Sequence, residues 1–417
     1  MNESMKKTPI IPFILVSSLF LMWGLANNMT DTLLAAFKRI MSMTDFQTSW
    51  IQFAFYGSYF CLAIPAALFI QRFSYKAGVL LGLGLFVSGS LLFYPASQTM
   101  VYAHFLIALF ILAGGLSILE TTANPYIMAM GPPETATRRL NFAQSFNPIG
   151  SITGVVLSKF FILAHLNQAS AEERANMSPT ELESIQAAEL SAVMGPYVAV
   201  AGVLFLLWLI VLFYPMPKAA VEKFSTDIWG AVKRLVIRRE YTEGVIAQFF
   251  YVGAQIGVWS FTIRYVMQQL SVNEEEASTY YVGALVLFMI SRFVCTWAMK
   301  YIAAEKLLSG MALLAIMLCI PVIWIGGILG VYCLVTISMT MSLMFPTIFG
   351  LASAHLGDDI KIGGSGLIMA ILGGAIITGL QGALSDYTGS IQMSYLVPAL
   401  CFAYVAYYGY RVGRNLG

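Results

Sequence analysis

The chain has 417 residues, of which 59% are hydrophobic and only 11% charged, and its mean hydropathy is +0.77. A soluble domain carries roughly 25% charged residues, so this composition excludes a globular enzyme held by an anchor and reads as a polytopic membrane protein. The net charge of +2 gives no reason to expect a nucleic-acid partner.

The N-terminus, MNESMKKTPIIPF, places basic residues ahead of an apolar run. The run is too long for a signal sequence and ends in no small-residue cleavage site, so it reads as an uncleaved first helix. A helix needs about 20 apolar residues to cross the hydrocarbon core. Twelve segments meet that need, at about 9–37, 47–71, 76–94, 100–128, 139–163, 194–215, 242–269, 278–300, 305–326, 329–353, 362–385 and 390–411. The predicted fold is all-α, with twelve transmembrane helices and both termini on one side. With that side in the cytoplasm, seventeen Lys and Arg fall inside and four outside (Lys38, Arg39, Lys159 and Arg174), while Arg264 and Arg292 stay within spans. The excess puts both termini in the cytoplasm.

Residues 164–193 form an acidic outer loop. Within it SPTELESIQ has a Ser cap with Glu at a helix-start spacing, which predicts a short surface helix. Residues 216–241 form a basic inner loop ending in KRLVIRREY. This loop divides the chain into a six-helix bundle over 1–215, a linker over 216–241 and a second bundle over 242–417, and its charges suit anionic membrane lipids. The two halves echo each other. Ala26-Asn27 in span one can be laid on Ala254-Gln255 in span seven, and GSITG (150–154) in span five on AIITG (375–379) in span eleven. Duplication of this kind is a mark of secondary transporters.

The five cysteines, Cys61, Cys295, Cys319, Cys333 and Cys401, lie in apolar segments with no CxxC spacing. They read as packing residues, not as disulfides or metal ligands. The three histidines, His104, His165 and His355, are scattered, and the chain has no HExxH or GxSxG. Neither an enzyme nor a cofactor is expected.

Charges inside a span cost at least ~2.5 kcal/mol each and usually face a cavity or a partner. Glu120, in LAGGLSILETTANPYIMAM, has no Lys or Arg within a helical turn. Desolvation disfavours its charged form, as a proton-exchanging carboxyl requires. It also suits hydrogen bonding to substrate hydroxyls, and the structural alternative is a protonated carboxyl bonded to a neighbouring helix. Asp31 has the same two readings, with Lys38 two turns away as a possible static partner. Asn27 and Asp31 share a helix face. Further amides fall within apolar spans: Asn28, Asn124, Gln144, Asn147, Gln248 and Gln255. An amide offers both donors and acceptors, so a set converging from several helices suits a hydroxyl-rich ligand. Trp23, Tyr251 and Trp259 offer faces on which a sugar ring stacks. The alternative for each amide is a link between helices. Arg292 is expected to pair structurally. Pro125, Pro148, Pro346 and Gly373-Gly374 mark kinks or close packing.

ANNMTD in span one, LETTANPY in span four, RLNFAQSFNPIG in span five and AQFFYVGAQ in span seven resemble the bacterial fucose–proton symporters, in the fucose–galactose–glucose symporter branch of the major facilitator superfamily. FPTIF and IPFILVSSLF agree, and the resemblance runs from Pro9 to about Ala406. It implies two six-helix bundles around a polar cavity, in the bacterial inner membrane. It also implies a monosaccharide substrate (fucose or a related hexose or pentose), a co-transported proton, no cofactor and a monomer. In that family the span-one acid, here Asp31, serves proton coupling. The span-four acid, here Glu120, serves sugar binding and its own protonation. Amides matching Asn28, Gln144, Asn147 and Gln255 line the sugar site. Thr30, Pro148 and Ile256-Gly257 depart from the fucose pattern around that site. Some relatives couple to sodium, which stands as the first alternative, ahead of a drug–proton antiporter with a more apolar cavity.

Overall fold

The computed structural model describes residues 8–40, 45–161, 173–174, 176–217 and 228–416, and every regular element among them is a helix. Twelve helical segments cross in sequence. The first four are continuous: Ile10–Ile40, Asp45–Arg72, Tyr75–Thr99 and Tyr102–Ala129. Span five is broken into Ala136–Gln144 and Phe146–Phe161, and span six is Pro179–Phe213. Span seven is Arg239–Leu270, span eight Glu274–Ala298 and span nine Ala304–Trp324. Span ten is broken into Gly327–Met341 and Met344–Ser353. Span eleven consists of Ile360–Met369 and Gly373–Thr388, joined by a 3₁₀ turn, Ala370–Leu372. Span twelve is Ile391–Ser394 followed by Leu396–Leu416. Ten helices are long and apolar enough to cross a membrane, and Ile10–Ala26 adds a shorter apolar stretch.

Local chemistry sets several of the boundaries. Ser74 and Asn273 cap spans three and eight, accepting from the Ala77 and Glu276 amides at 3.0 and 2.9 Å. Ser178 accepts from Glu181 N at 3.3 Å, as the SPTELESIQ pattern predicts, but the helix it starts is no separate surface element. It continues as span six for 35 residues, because the intervening AAELSAVM is strongly helix-forming. Arg174, ahead of this helix, forms a buried two-pronged pair with Glu189 at 2.5 and 2.9 Å and ties the loop back onto it.

Close backbone approach organises both bundles. Spans one and five touch so tightly that a Cβ on Gly150 would stand 1.9 Å from the Leu21 carbonyl oxygen. Spans seven and eleven repeat this contact, with a Cβ on Gly373 falling 2.1 Å from the Phe249 carbonyl. Leu21 and Phe249 are related as Ala26 and Ala254 are, so the echo between spans one and seven is in register. The echo between spans five and eleven is shifted. Gly150 answers to Gly373, not to Ala375, because the contact falls where a side chain is absent and not where ITG recurs.

The side-chain contacts joining the two bundles gather toward the end that carries Arg72, Arg138 and Lys361. Asn141 Nδ2 donates to Thr347 Oγ1 at 3.2 Å, and Lys361 Nζ lies 5.3 Å from the centre of the Tyr75 ring. Phe146 meets Phe293 edge to face at 6.3 Å. Of the expected linker, residues 218–227 lie outside the described residues. The helix Ile228–Ile237 docks on span eleven, where Arg234 reaches both carboxylate oxygens of Asp359 at 2.8 and 2.9 Å. The basic run therefore has an intramolecular role through Arg234. The five cysteines are unpaired.

Candidate functional site

Span four is deeply enclosed, buried continuously from Leu112 to Met128. A helix apolar or small on every side can sit among other helices without a lipid face, and Gly114, Gly115 and Ala123 let the neighbours close in. Glu120 is carried into that interior and is 3% exposed. One of its carboxyl oxygens, Oε2, has no hydrogen-bond partner among the described residues. Asn124 follows one turn later on the same face. Its side-chain oxygen accepts from Gln144 Nε2 at 2.8 Å, while its own Nδ2 is unpartnered among the described residues. Glu120, Asn124 and Gln144 are thus brought together, as a buried acid beside an amide pair with donor and acceptor capacity to spare.

Tyr59 completes the wall, and no motif or spacing points to it. Its hydroxyl accepts from Trp23 Nε1 at 2.7 Å, and its phenol lies within electrostatic reach of Glu120. Span four holds it there through Ser117, whose hydroxyl donates to the Tyr59 carbonyl at 3.2 Å. A tyrosine among aromatic neighbours in YGSYF gives no pattern that separates it from Tyr56; only the fold does.

Arg292 is the second residue whose position exceeds its sequence signal. It is 3% exposed and lies over the Phe288 ring at 4.7 Å. Its Nη1 donates to the Gln144 carbonyl at 3.0 Å and its Nε to the Ser342 carbonyl. Those carbonyls lie four residues before Pro148 and Pro346. A proline has no N–H for the carbonyl four residues back, so each proline orphans one oxygen and breaks its helix there. Arg292 serves both, one in each bundle. The structural pairing expected for it is therefore with two carbonyls and not with an acid.

The remaining predicted residues divide. Asn28 donates to its own helix at Gly24 O, 3.2 Å away, and has further interactions; Asn147 bridges to the Phe20 carbonyl of span one at 3.3 Å. Gln248 is fully buried, and neither its Nε2 nor its Oε1 has a partner among the described residues; Gln255 is half-buried on the same face. Tyr251 is fully buried, donates to the Met341 carbonyl at 3.0 Å and meets Phe345 edge to face, so its ring is engaged within its own bundle. Trp259 donates to Ser338 Oγ at 3.2 Å and packs edge-on against Phe288. The side chains of Asn27 and Asp31 lie outside the described residues, although both positions fall in the first helix. Two crevices, of ≈ 450 and ≈ 610 Å³, lie away from Glu120, one beside Arg138 and Lys300 and the other between Met22, Leu157 and Val200.

The family profile described as Major Facilitator Superfamily matches residues 13–380. The chain belongs to that superfamily. It is 42% identical to a protein named L-fucose-proton symporter from Haemophilus influenzae, over 99% of each chain. It is 35% identical to a glucose/galactose transporter of Brucella abortus, over 94% of this chain and 91% of that one. Among solved structures it is similar to FucP, a major facilitator transporter crystallised in the outward conformation, with a TM-score of 0.91 and 38% identity over 97% of this chain and 99% of that one. These relatives are transporters and not enzymes. As a superfamily member the chain has two six-helix bundles, with Glu120, Asn124, Gln144, Trp23 and Tyr59 in the first and Arg292, Gln248 and Tyr251 in the second.

Proposed function

We propose that the protein is a proton–monosaccharide symporter with L-fucose as its first candidate substrate, and that Glu120 is a proton-binding and sugar-binding group. The observation that carries the reading is the buried, partly unpartnered Glu120 carboxyl beside Tyr59 and the Asn124–Gln144 amide pair. A buried carboxylate is costly while charged and cheap once protonated, so proton loading lets a closed cavity change the side it faces. The same carboxyl, with the free Asn124 and Gln248 donors and acceptors, suits a ligand whose hydroxyls both give and take hydrogen bonds. The relatives' names support the assignment: the more similar is called a fucose–proton symporter, and none of those reported names sodium. The sodium and antiporter alternatives have no such support.

Asp31 is retained in the proposal on its sequence position, as the proton-coupling partner of Glu120. The end bearing Arg72, Arg138 and Lys361 is assigned to the cytoplasm by its charge. Contacts between the bundles gather there, which supports reading this conformation as outward-facing, in keeping with its similarity to the outward structure of FucP. The two bundles, divided at the 216–241 linker, would rock about Glu120 and Arg292, with the chain acting as a monomer in a bacterial inner membrane.

The test is sugar-evoked alkalinisation of weakly buffered, sodium-free cells expressing the protein, across hexoses, 6-deoxyhexoses and pentoses. A pH rise with L-fucose, lost in Glu120→Gln, is expected. Uptake that requires sodium, or a pH rise unchanged in Glu120→Gln, would sink the assignment.

A further inference from the structure

We propose that the ≈ 450 Å³ crevice between the two bundles at the basic end is a binding site for the headgroup of an anionic phospholipid, and that the lipid holds this end closed. The crevice is built from both bundles: Phe13, Arg138 and Phe142 on one side, Phe293, Trp297 and Lys300 on the other. Arg138 and Lys300 form no ion pair among the described residues. The third cation in the wall, Arg139, is turned inward, donating to the carbonyls of Ile127 and Pro132 and to Thr135 Oγ1. Glu134, one turn before Arg138, does not line the crevice. Among the described residues, the two outward cations thus face a concave space with no lining anion to balance them.

The walls identify the ligand as a lipid and not a soluble anion. Phe13 stacks on Phe142 at 6.0 Å, Phe142 meets Phe146 at 5.7 Å, and Phe146 meets Phe293 at 6.3 Å, so an aromatic ladder crosses from one bundle to the other behind the cations. Its rim is apolar and open: Ile10 is 73% exposed, Trp297 57% and Phe142 43%. A site for free phosphate has no use for such a rim. A headgroup phosphate between Arg138 and Lys300, with its acyl chains along Ile10 and Trp297, satisfies both the charge and the apolar face.

The consequence is conformational. Arg138 stands at the start of span five and Lys300 just past the end of span eight. A lipid that touches both is bound only while these bundle ends meet, so binding favours the state closed at this end. This consequence rests on the transport reading above; the site itself does not.

The test is native mass spectrometry of the purified full-length protein in detergent, titrated with dioctanoyl phosphatidylglycerol, dioctanoyl phosphatidylcholine or inorganic phosphate. The wild type is expected to retain phosphatidylglycerol over phosphatidylcholine, and Arg138→Gln/Lys300→Gln to bind it about thirtyfold more weakly. Equal retention of the two lipids, or an unchanged double variant, would overturn the site. Competition by phosphate alone at the lipid's own concentration would overturn the choice of a lipid. Selective retention by a protein that moves no sugar would keep the site and remove the symport reading. A folded double variant is verified by a monodisperse elution profile and a thermal unfolding midpoint equal to the wild type's.

Discussion

Spans one and five cross as spans seven and eleven do, yet the two crossings serve different neighbourhoods. Both rest on a glycine against a carbonyl oxygen, Gly150 on Leu21 and Gly373 on Phe249. In the first bundle, polar groups around that scaffold are left with capacity: Glu120 Oε2, Thr121 Oγ1 and Asn124 Nδ2 have no partner among the described residues. In the second, three tyrosines close their own accounts of hydrogen bonds, Tyr241 to the Gly363 carbonyl at 2.8 Å, Tyr251 to Met341 at 3.0 Å and Tyr265 to Val322 at 2.8 Å. Duplication preserved the contact that sets helix spacing, because no side chain larger than hydrogen fits there. It did not preserve the polar chemistry: the first bundle sets a buried acid beside amides on span four, whereas the second leaves Gln248, Gln381 Oε1 and the Tyr395 and Tyr408 hydroxyls unpartnered among the described residues, with no acid beside them in that set.

If that asymmetry is functional, the largest effect belongs to Glu120. Glu120→Gln keeps the shape and a hydrogen-bonding end but cannot exchange a proton. Sugar is expected to stop accumulating above its outside concentration, while exchange of labelled for unlabelled sugar across proteoliposomes persists. Loss of both would make Glu120 a binding group only. Gln248→Ala should instead weaken sugar binding and leave any remaining transport proton-dependent. Were Gln248→Ala the variant that uncouples, the division between the bundles would be the wrong one.

Arg292 is where the two bundles are joined by chemistry and not by packing alone. Arg292→Met keeps the apolar stem over Phe288 and removes both donors, leaving the proline-orphaned carbonyls of Gln144 and Ser342 buried and unpaired. Each hydrogen bond from a charged group is worth about 1.5–3 kcal/mol, so a loss of roughly 3–6 kcal/mol in resistance to unfolding is expected. Arg292→Lys, a point charge without the fork, should recover part of it. Full recovery in Arg292→Lys would show that the positive charge, and not the two-carbonyl geometry, matters.

How much of this could be read from residues follows the same physics. Twelve spans were legible because lipid demands long apolar runs. Glu120 was legible because a lone acid in such a run has few bland explanations. Asn124 and Gln144 were legible as amides but not as a pair, since twenty residues and a loop separate them. Tyr59 was not legible, because a tyrosine in an aromatic helix is compatible with any orientation. Arg292 was visible as a buried charge, and Pro148 and Pro346 as breakers, but only the fold shows that one guanidinium serves both breaks. The misread surface helix has a plain cause: its cap was real, but nothing in the next residues stops a helix.

The scaffold itself can be tested by breaking both crossings alike. Gly150→Ala and Gly373→Ala each force a methyl onto a backbone carbonyl that cannot swing away as a side chain can. Overpacking of this kind costs about 1–3 kcal/mol, and the two variants should lose similar stability in thermal unfolding. Their transport should diverge, with Gly150→Ala the more damaging, because spans one and five carry Trp23 and Gln144 against the acid. Parallel losses of transport would mean that the second crossing positions the site as much as the first.

The smallest expected effect is the most local. Trp23→Phe keeps an aromatic face but removes the donor to the Tyr59 hydroxyl. That hydroxyl then accepts from nothing in span one, and the net cost of one neutral hydrogen bond is about 1 kcal/mol. Stability should barely move, since the ring still packs. If Tyr59 is held for the sake of Glu120, sugar affinity should fall about fivefold while the proton dependence of transport is retained. Tyr59→Phe in the Trp23→Phe background should then cost little more, because the two residues act as one unit. Full additivity of the two substitutions would detach Trp23 from the acid, and leave it as a stacking face for the sugar on its own account.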